Sequence, residues 1–146
     1  MAVSDTREVV IGATADEILG VLTDAESLPE WSDIHVSSEV LDRDGQGRPV
    51  RTRMKVKIVG ITDEQVLDYT WYDDGLSWTL KSAKQQRSQD ARYTLIPEGD
   101  STRVKFQLTI EPLMPLPGFL LKRATKGVMG TATDGLRKRV LSRKAG

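Results

Sequence analysis

The sequence contains no cysteine and only one histidine, His35, among its 146 residues. The absence of cysteine excludes disulfides, cysteine nucleophiles and thiolate zinc sites. A single histidine also excludes metal sites built from several histidines, and we expect neither a metal nor a cofactor. No apolar run approaches the roughly 20 residues of a membrane-spanning helix. Residues 1–10 lack the basic start and the apolar segment of a signal peptide, so a cytoplasmic protein is expected.

The sequence has no net charge, since 21 basic residues balance 21 acidic ones. This balance argues against a dedicated nucleic-acid-binding protein. The length is close to the commonest size of one domain, and no segment has the composition of a linker or an internal repeat. We therefore predict a single domain over residues 1–146, present as a monomer or a weak homodimer.

The first 31 residues predict a strand followed by two short helices. Residues 3–11 end in an apolar run and are the first strand candidate. Thr14 and Glu17 have the spacing of a capping box, in which the threonine hydroxyl accepts from the first helical turn and the glutamate reaches back. Asp24 is placed to cap a second short helix, whose length Pro29 limits.

Residues 34–112 have the pattern of antiparallel strands separated by turns. Apolar residues alternate with polar or charged ones, most clearly in residues 50–58, 76–81 and 103–110. A period of two indicates strands, and the pairing of one apolar face with one charged face indicates an antiparallel sheet with one side in water. About six strands are expected in this region.

Charges predict the pairing of two of these strands. A two-residue turn at residues 60–61 places Lys57 opposite Glu64. It also places Arg53 opposite Asp68, so both pairs join opposite charges on the wet face. On the inner face the same register pairs Thr52 with Tyr69, Met54 with Leu67, and Val50 with Trp71.

Residues 118–142 predict one long C-terminal helix, which Pro115 and Pro117 precede and no proline interrupts. Its apolar stripe recurs at three- and four-residue spacing. The stripe comprises Leu120, Leu121, Ala124, Val128, Thr131, Ala132, Leu136 and Val140. The predicted fold is thus α+β: a strand, two short helices, about six more strands, and a long helix across the apolar face of a curved antiparallel sheet.

The residues at the end of the first strand and in the two short helices carry a family resemblance. They are residues 9–18, followed by Leu22, Asp24, Leu28, Pro29, Glu30 and Trp31. This stretch resembles the START-like or SRPBCC superfamily, which has the helix-grip fold. In that superfamily an aspartate closes the first short helix and a Pro-x-Trp follows, as Asp24, Pro29 and Trp31 do here. The nearest resemblance is to the polyketide cyclase/dehydrase and lipid-transport group, and it extends over nearly the whole chain.

The resemblance implies about seven strands wrapped around the C-terminal helix, with a cavity between them. Members of the group bind lipids, sterols, quinones or polyketides, and some catalyse cyclisation or dehydration. No catalytic residue is carried over, because fold alone does not determine function. We predict binding, with or without carrying, of a small hydrophobic or amphipathic ligand such as a lipid, a polyketide, an isoprenoid or a quinone. The alternatives are a cyclase or dehydrase on the same fold and a ligand-free protein-interaction module.

Strand alternation and the helix stripe select most of the candidate cavity-lining residues; Gly127 flanks that stripe, and the family resemblance adds Trp31. These side chains either fill a solid core or line an apolar pocket of roughly 300–1,000 Å³. They are Trp31, Met54, Val56, Leu67, Tyr69, Trp71, Trp78, Leu80, Tyr93, Phe106, Leu108, Leu120, Ala124, Gly127, Val128 and Thr131.

Alternation also places six polar side chains inside: Thr52, Asp63, Gln65, Tyr69, Gln89 and Tyr93. The tyrosine hydroxyls are expected at the rim or on a buried water, with a ligand oxygen as the alternative. Asp63 is expected at a wet hairpin end, and the alternative is a desolvated general base. His35 is expected at the surface or half-buried, and the alternative is contact with a ligand at the cavity mouth.

Gly127, Gly130 and Gly135 lie inside the predicted long helix. Each costs about 1 kcal/mol relative to alanine in a helix interior, so a structural reason is expected. Cavity volume, close helix–sheet packing and a kink are the three interpretations.

Basic residues are concentrated in residues 122–144, where eight lysines and arginines accompany a single acidic residue, Asp134. One interpretation is a solvated helix face that suits the helix dipole. The other is contact with a membrane surface, an anionic ligand or RNA. The basic residues are not interleaved with aromatic ones, so no nucleic acid is expected.

Overall fold

The first strand of the chain pairs with the last one. In the computed structural model, which describes residues 2–145, β1 runs antiparallel to β7 at the edge of a seven-stranded sheet. The strands are β1 (Val3–Ile11), β2 (His35–Arg43), β3 (Pro49–Ile58), β4 (Ile61–Tyr72), β5 (Gly75–Ala83), β6 (Gln86–Glu98) and β7 (Ser101–Pro112). Their order across the sheet is β1-β7-β6-β5-β4-β3-β2, with every neighbouring pair antiparallel. The predicted α+β architecture is confirmed.

Two short helices, α1 (Ala15–Thr23) and α2 (Leu28–Trp31), follow β1. The predicted capping box begins α1, because the Thr14 hydroxyl accepts from the Glu17 N–H and the Glu17 carboxylate accepts from the Thr14 N–H. The predicted cap by Asp24 is wrong, since its side chain makes no capping hydrogen bond. Instead its main-chain carbonyl accepts from the Ser27 hydroxyl at 2.7 Å.

The inner face of the sheet carries the core, as alternation predicts. Met54, Leu67, Leu76 and Phe106 are buried on it. Met129, Leu136 and Val140 of the C-terminal helix complete the core. Burying this apolar area is the main force that holds the helix on the sheet.

The predicted register of the β3–β4 hairpin is wrong by two residues. Ile58 pairs with Ile61, so the turn is Val59-Gly60 and both turn residues have positive φ (44° and 82°). This is the backbone of a type I′ turn, which matches the twist of a hairpin. The ladder pairs Lys55 with Glu64, Arg51 with Asp68, Arg53 with Val66, Lys57 with Thr62, Thr52 with Leu67 and Met54 with Gln65. The expected pair of Val50 with Trp71 does not occur within the described ladder.

A shift of two residues leaves each side chain on its predicted face. The exposed face still pairs opposite charges, and the Arg51 Nε lies 2.7 Å from the Asp68 Oδ1.

The C-terminal helix is continuous but changes its winding midway. An α-helix, α3 (Gly118–Gly130), leads through a π-helical segment (Thr131–Gly135) into α4 (Leu136–Ala145). Gly130 directly precedes the π segment, and Gly135 is its last residue. A Cβ at Gly127 or Gly130 would meet no atom within 4 Å, so close packing does not explain these glycines. None of the helices in residues 2–145 has the length and hydropathy of a membrane span.

Candidate functional site

An internal cavity of about 100 Å³ lies between the inner face of the sheet and the C-terminal helix. It is smaller than the expected range. The wall is mainly apolar and includes no Asp, Glu, Lys or Arg among the described residues. Leu28 and Trp31 of α2 and Val128 of α3 are half-buried members of this wall.

Ten of the predicted lining residues meet at this cavity: Trp31, Met54, Val56, Leu67, Tyr69, Trp78, Tyr93, Phe106, Val128 and Thr131. The other six lie elsewhere. Leu108 is buried in the core, and Leu80 packs beside Met54 and Leu67. The Trp71 indole N–H donates to the Pro49 carbonyl at 2.7 Å. Leu120 is half-buried on α3, Ala124 lines a second cavity, and Gly127 lines an outer groove.

The cavity is small because four aromatic rings occupy one part of the inner face. Trp78 has ring-centroid distances of 5.6 Å to Tyr69, 5.9 Å to Tyr93 and 5.7 Å to Phe106. The Tyr93 and Phe106 rings are 4.6 Å apart. These spacings are those of favourable tilted aromatic contacts, so the cluster forms a firm wall.

Tyr93 connects this aromatic wall to the π segment. Its hydroxyl donates to the Ala132 carbonyl at 2.8 Å, in a buried setting. In an α-helix that carbonyl would accept from the Leu136 N–H, but here Leu136 donates to Thr131 and Thr133 instead. The expected rim position of this hydroxyl is therefore wrong. Burial raises the pKa of Tyr93 well above its ordinary value, so the hydroxyl keeps its proton.

A part-buried chain of side-chain hydrogen bonds crosses the cavity wall. The Trp78 indole N–H donates to Gln89 Oε1 at 2.7 Å, and Gln89 Nε2 donates to Gln86 Oε1 at 2.7 Å. Gln86 Nε2 then donates to Asp63 Oδ2 at 2.9 Å. The indole can only donate and a carboxylate accepts, so the two ends set the orientation of the amides between them.

Asp63 lies at the far end of this chain. It is buried, at 5% exposure, so the expectation of a wet carboxylate is wrong. Its Oδ1 accepts from the N–H groups of Lys84 and Gln85, at 2.9 and 3.0 Å. Three hydrogen bonds thus hold it in a structural position at the β5–β6 turn.

Two polar groups on β4 retain donors without a partner among residues 2–145. Gln65 Oε1 accepts from both Gln86 and Gln89, at 3.0 and 3.3 Å, while its Nε2 makes no hydrogen bond there. The Tyr69 hydroxyl accepts from Thr52 at 3.4 Å and its own proton has no acceptor in that range. Burial raises the pKa of Tyr69 to about 12. Both side chains line the cavity.

His35 also lines the cavity, at the start of β2. Its Nδ1 lies 2.6 Å from the Ser32 hydroxyl oxygen, which accepts from the N–H groups of Ile34 and His35 at 3.2 Å each. The hydroxyl proton therefore points at Nδ1, and this assigns the ring proton to Nε2. Burial lowers the pKa of His35 to about 4, so the ring is neutral at physiological pH.

A second cavity, of about 80 Å³, adjoins the first one. The two share wall residues, among them Val56, Ile58 and Val128. A larger groove, of about 610 Å³, lies outside the C-terminal helix. The Trp31 side chain lines both the groove and the main cavity, and its buried indole N–H has no partner in the described residues.

Sequence reasoning missed several lining residues. Those not selected include Val21, Leu22, Ala25, Leu28, Ile34, Ile58, Leu76, Gln86, Ile110 and Ala132. The alternating pattern contains Ile58, Leu76 and Ile110, so they could have been found. Gln86 carries no such signal, because it begins β6 directly after a turn.

Comparison with solved structures shows the same fold in several proteins. A START superfamily protein from Mycobacterium smegmatis is 24% identical over 95% of this chain and 97% of that chain, with a TM-score of 0.86. TTHA0849 from Thermus thermophilus is 23% identical over 97% of this chain and 99% of that chain, with a TM-score of 0.81. The Zhui aromatase/cyclase from Streptomyces sp. R1128 is 12% identical over 98% of this chain and 96% of that chain, with a TM-score of 0.83. At these identities the likeness shows the fold alone.

Sequence comparison gives the family directly. No curated protein matches the chain significantly. The family model described as polyketide cyclase / dehydrase and lipid transport matches residues 2–141. The match covers nearly all of the chain and agrees with the START-like neighbours in fold. This protein therefore belongs to the polyketide cyclase / dehydrase and lipid transport family.

Proposed function

We propose that this protein binds a small, neutral, mainly apolar ligand that carries hydrogen-bond-accepting oxygens. The observation that carries the proposal is the polarity of the main cavity. Its wall is mainly apolar, and Gln65 Nε2, the Tyr69 hydroxyl proton and the His35 Nε2–H are donors without an acceptor in the described part of the chain. A ketone, quinone, ester or ether oxygen complements such donors.

The charge of the cavity supports a neutral ligand. Among residues 2–145 no ionised side chain lines the wall, and burial lowers the pKa of His35 to about 4, so that its ring is neutral. A phosphate or carboxylate would lose its hydration there without gaining a cation. The polar end of an amphipathic lipid would therefore remain outside, and polyketides, isoprenoids and quinones fit the interior better.

The size of the cavity limits what enters without rearrangement. A cavity of roughly 150 Å³ accepts a benzene molecule, and this one measures about 100 Å³. A ligand of two or more rings requires half-buried wall residues such as Leu28, Ile58 and Val128 to move. Val128 lines both cavities, so movement of this side chain would change the space in each.

A cyclase or dehydrase is the second candidate, and the desolvated His35 is the observation that favours it. General base catalysis needs a free acceptor nitrogen. Here Nδ1 is engaged by Ser32 and Nε2 carries the proton. Asp63 is likewise engaged by three donors. These contacts favour binding over acid–base chemistry.

Calorimetric titration with two matched probes tests the proposal. 2-Acetylnaphthalene carries an acceptor oxygen, and 2-ethylnaphthalene has a similar shape without one. We expect the ketone to bind about three- to tenfold more tightly, which corresponds to one hydrogen bond. Tyr69→Phe and Gln65→Leu, made separately, should reduce this preference.

The occupied site is tested by filling the cavity. Val128→Phe should weaken binding of both probes, whereas the same change at exposed Val10 should not. Failure of the wild-type protein to bind either probe, or unchanged binding by Val128→Phe, would contradict the proposal.

A further inference from the structure

Three large apolar side chains are exposed close together in sequence, where β7 leads into α3. Leu113, Met114 and Phe119 are 48%, 68% and 67% exposed. The first two lie in the connection between the strand and the helix, and the third lies in the first turn of α3. Apolar side chains grouped in this way on a surface mark an interaction site more often than scattered ones do.

These residues lie at the end of the molecule where three chain connections meet. The Leu113 N–H donates to the Gln85 carbonyl in the β5–β6 turn at 3.0 Å. The same turn is held to β4 by Asp63, near the Val59-Gly60 turn. Val59, at the tip of that turn, adds another exposed apolar side chain.

Cations flank the apolar residues on one helix face. Phe119, Lys122, Arg123 and Lys126 follow the i, i+3, i+4, i+7 spacing of a single face, and all four are exposed. Residues 118–130 contain no acidic residue. Within residues 2–145 these three basic side chains form no ion pair, so their charges are not neutralised there.

The basic residues of α4 behave differently. Arg139 pairs with Glu30, and Arg143 and Lys144 pair with Asp24 and Glu17. The basic C-terminal segment therefore divides into a partly paired half on α4 and an unpaired half on α3. Only the unpaired half adjoins the exposed apolar residues.

We propose that this end of the molecule docks on the surface of a bilayer that contains anionic phospholipids. The docking surface consists of Leu113, Met114, Phe119, Lys122, Arg123 and Lys126. Its apolar residues would enter the boundary between headgroups and acyl chains, and its cations would lie at the level of the phosphates. The proposal goes beyond ligand binding in the main cavity and does not depend on it.

Two further features favour a bilayer over a second copy of the chain. A two-fold dimer through this surface would bring the unpaired cations of α3 against the same cations of its partner. In addition, the second cavity is lined by Val59, Leu116 and Leu121 from the elements at this end, and it adjoins the main cavity. In the docked orientation, the second cavity, which adjoins the main cavity, would thus lie on the side of the protein that faces the bilayer.

Co-sedimentation with vesicles tests the docking. We expect wild-type protein to bind phosphatidylcholine vesicles containing about 30 mol% phosphatidylglycerol at least roughly tenfold more tightly than phosphatidylcholine alone. Lys122→Glu with Arg123→Glu should abolish this preference, and Met114→Ser with Phe119→Ser should weaken binding to both vesicle types. The matched controls are Arg137→Glu with Lys138→Glu on α4, and Ile96→Ser at the opposite end of β6, and these should bind like wild type.

Several results would overturn the docking proposal. One is wild-type protein that binds vesicles with and without phosphatidylglycerol equally well. Another is an equal loss of vesicle binding in the docking variants and the control variants. A dimer in light scattering that Phe119→Ser converts to a monomer, without vesicle binding, would assign the surface to a second copy instead. Titration of the same variants with 2-acetylnaphthalene separates the two proposals, because vesicle binding without ketone binding refutes only the cavity function.

Discussion

The Tyr93 hydroxyl of β6 donates to the Ala132 carbonyl of the π segment at 2.8 Å and occupies the position that a helical N–H would otherwise take. Tyr93→Phe would leave this carbonyl buried without a partner. We expect it to lower the free energy of unfolding by about 1–3 kcal/mol, measured by urea denaturation. Tyr72→Phe is the matched control, since the Tyr72 hydroxyl contacts Ser77 at an exposed site. If the two changes lowered the free energy of unfolding equally, the buried hydrogen bond of Tyr93 would stabilise the fold no more than the exposed contact of Tyr72 does.

The stability of the protein should depend on His35 between pH 4 and pH 6.5. Burial lowers the pKa of His35 from 6.5 to about 4 in the folded state, so the unfolded chain binds the proton first as the pH falls. The contribution of neutral His35 to the free energy of unfolding is fully present above about pH 6.5. It falls by about 3 kcal/mol as the pH is lowered toward 4. His35→Asn retains an acceptor for Ser32 but does not titrate. If the free energies of unfolding of wild type and His35→Asn changed by the same amount between pH 7 and pH 4, this expectation would be contradicted.

Gly75 should be the glycine least tolerant of a side chain. Its φ is +150°, and a Cβ there would lie 2.1 Å from the Tyr93 carbonyl oxygen, so the backbone of β6 would have to move. We expect Gly75→Ala to destabilise the fold by about 1–3 kcal/mol or more. Gly45→Ala, where a Cβ would meet no atom within 4 Å, is the control. A melting temperature of Gly75→Ala equal to that of the control would refute the close approach.

Gly127→Ala should stabilise the protein. A Cβ at Gly127 meets no atom within 4 Å, and the residue lines the outer groove rather than the main cavity. Removing the glycine should raise the free energy of unfolding by up to about 1 kcal/mol through helix propensity. The affinity for 2-acetylnaphthalene should stay unchanged. A loss of stability, or a change in that affinity, would show that Gly127 contacts the sheet or the ligand after all.

The sequence predicted faces better than it predicted pairings. Alternation in β3 and β4 correctly assigned inner and outer side chains, including the buried Thr52 and Gln65. It could not choose between two registers that differ by two residues, because both keep the faces and both pair opposite charges. The turn decided the pairing. It uses a positive φ at Val59, which a β-branched residue seldom adopts, so local preference pointed to another turn.

The candidate site shows the same division. The apolar wall follows from period-two and helical patterns, and so most of it could be named in advance. The hydrogen-bond partners and protonation of its polar groups could not be predicted, because they depend on contacts between elements distant in sequence. The Gln65 Oε1 accepts from both Gln86 and Gln89, whereas its Nε2 has no hydrogen-bond partner among residues 2–145. The pKa of His35 is lowered to about 4 because the surrounding protein desolvates the ring.

The sequence by itself determined the order of strands and helices, the face of each strand, the capping box at Thr14 and the family of the chain. These depend on local spacing, which the chain carries in any conformation. Tertiary structure alone decided the hairpin register, the π segment beneath Tyr93 and the small volume of the cavity. It also paired three cations of α4 with carboxylates and left the cations of α3 without ion pairs among residues 2–145. Each of these depends on which side chains meet across the sheet and helix, and therefore on packing and distance rather than on pattern.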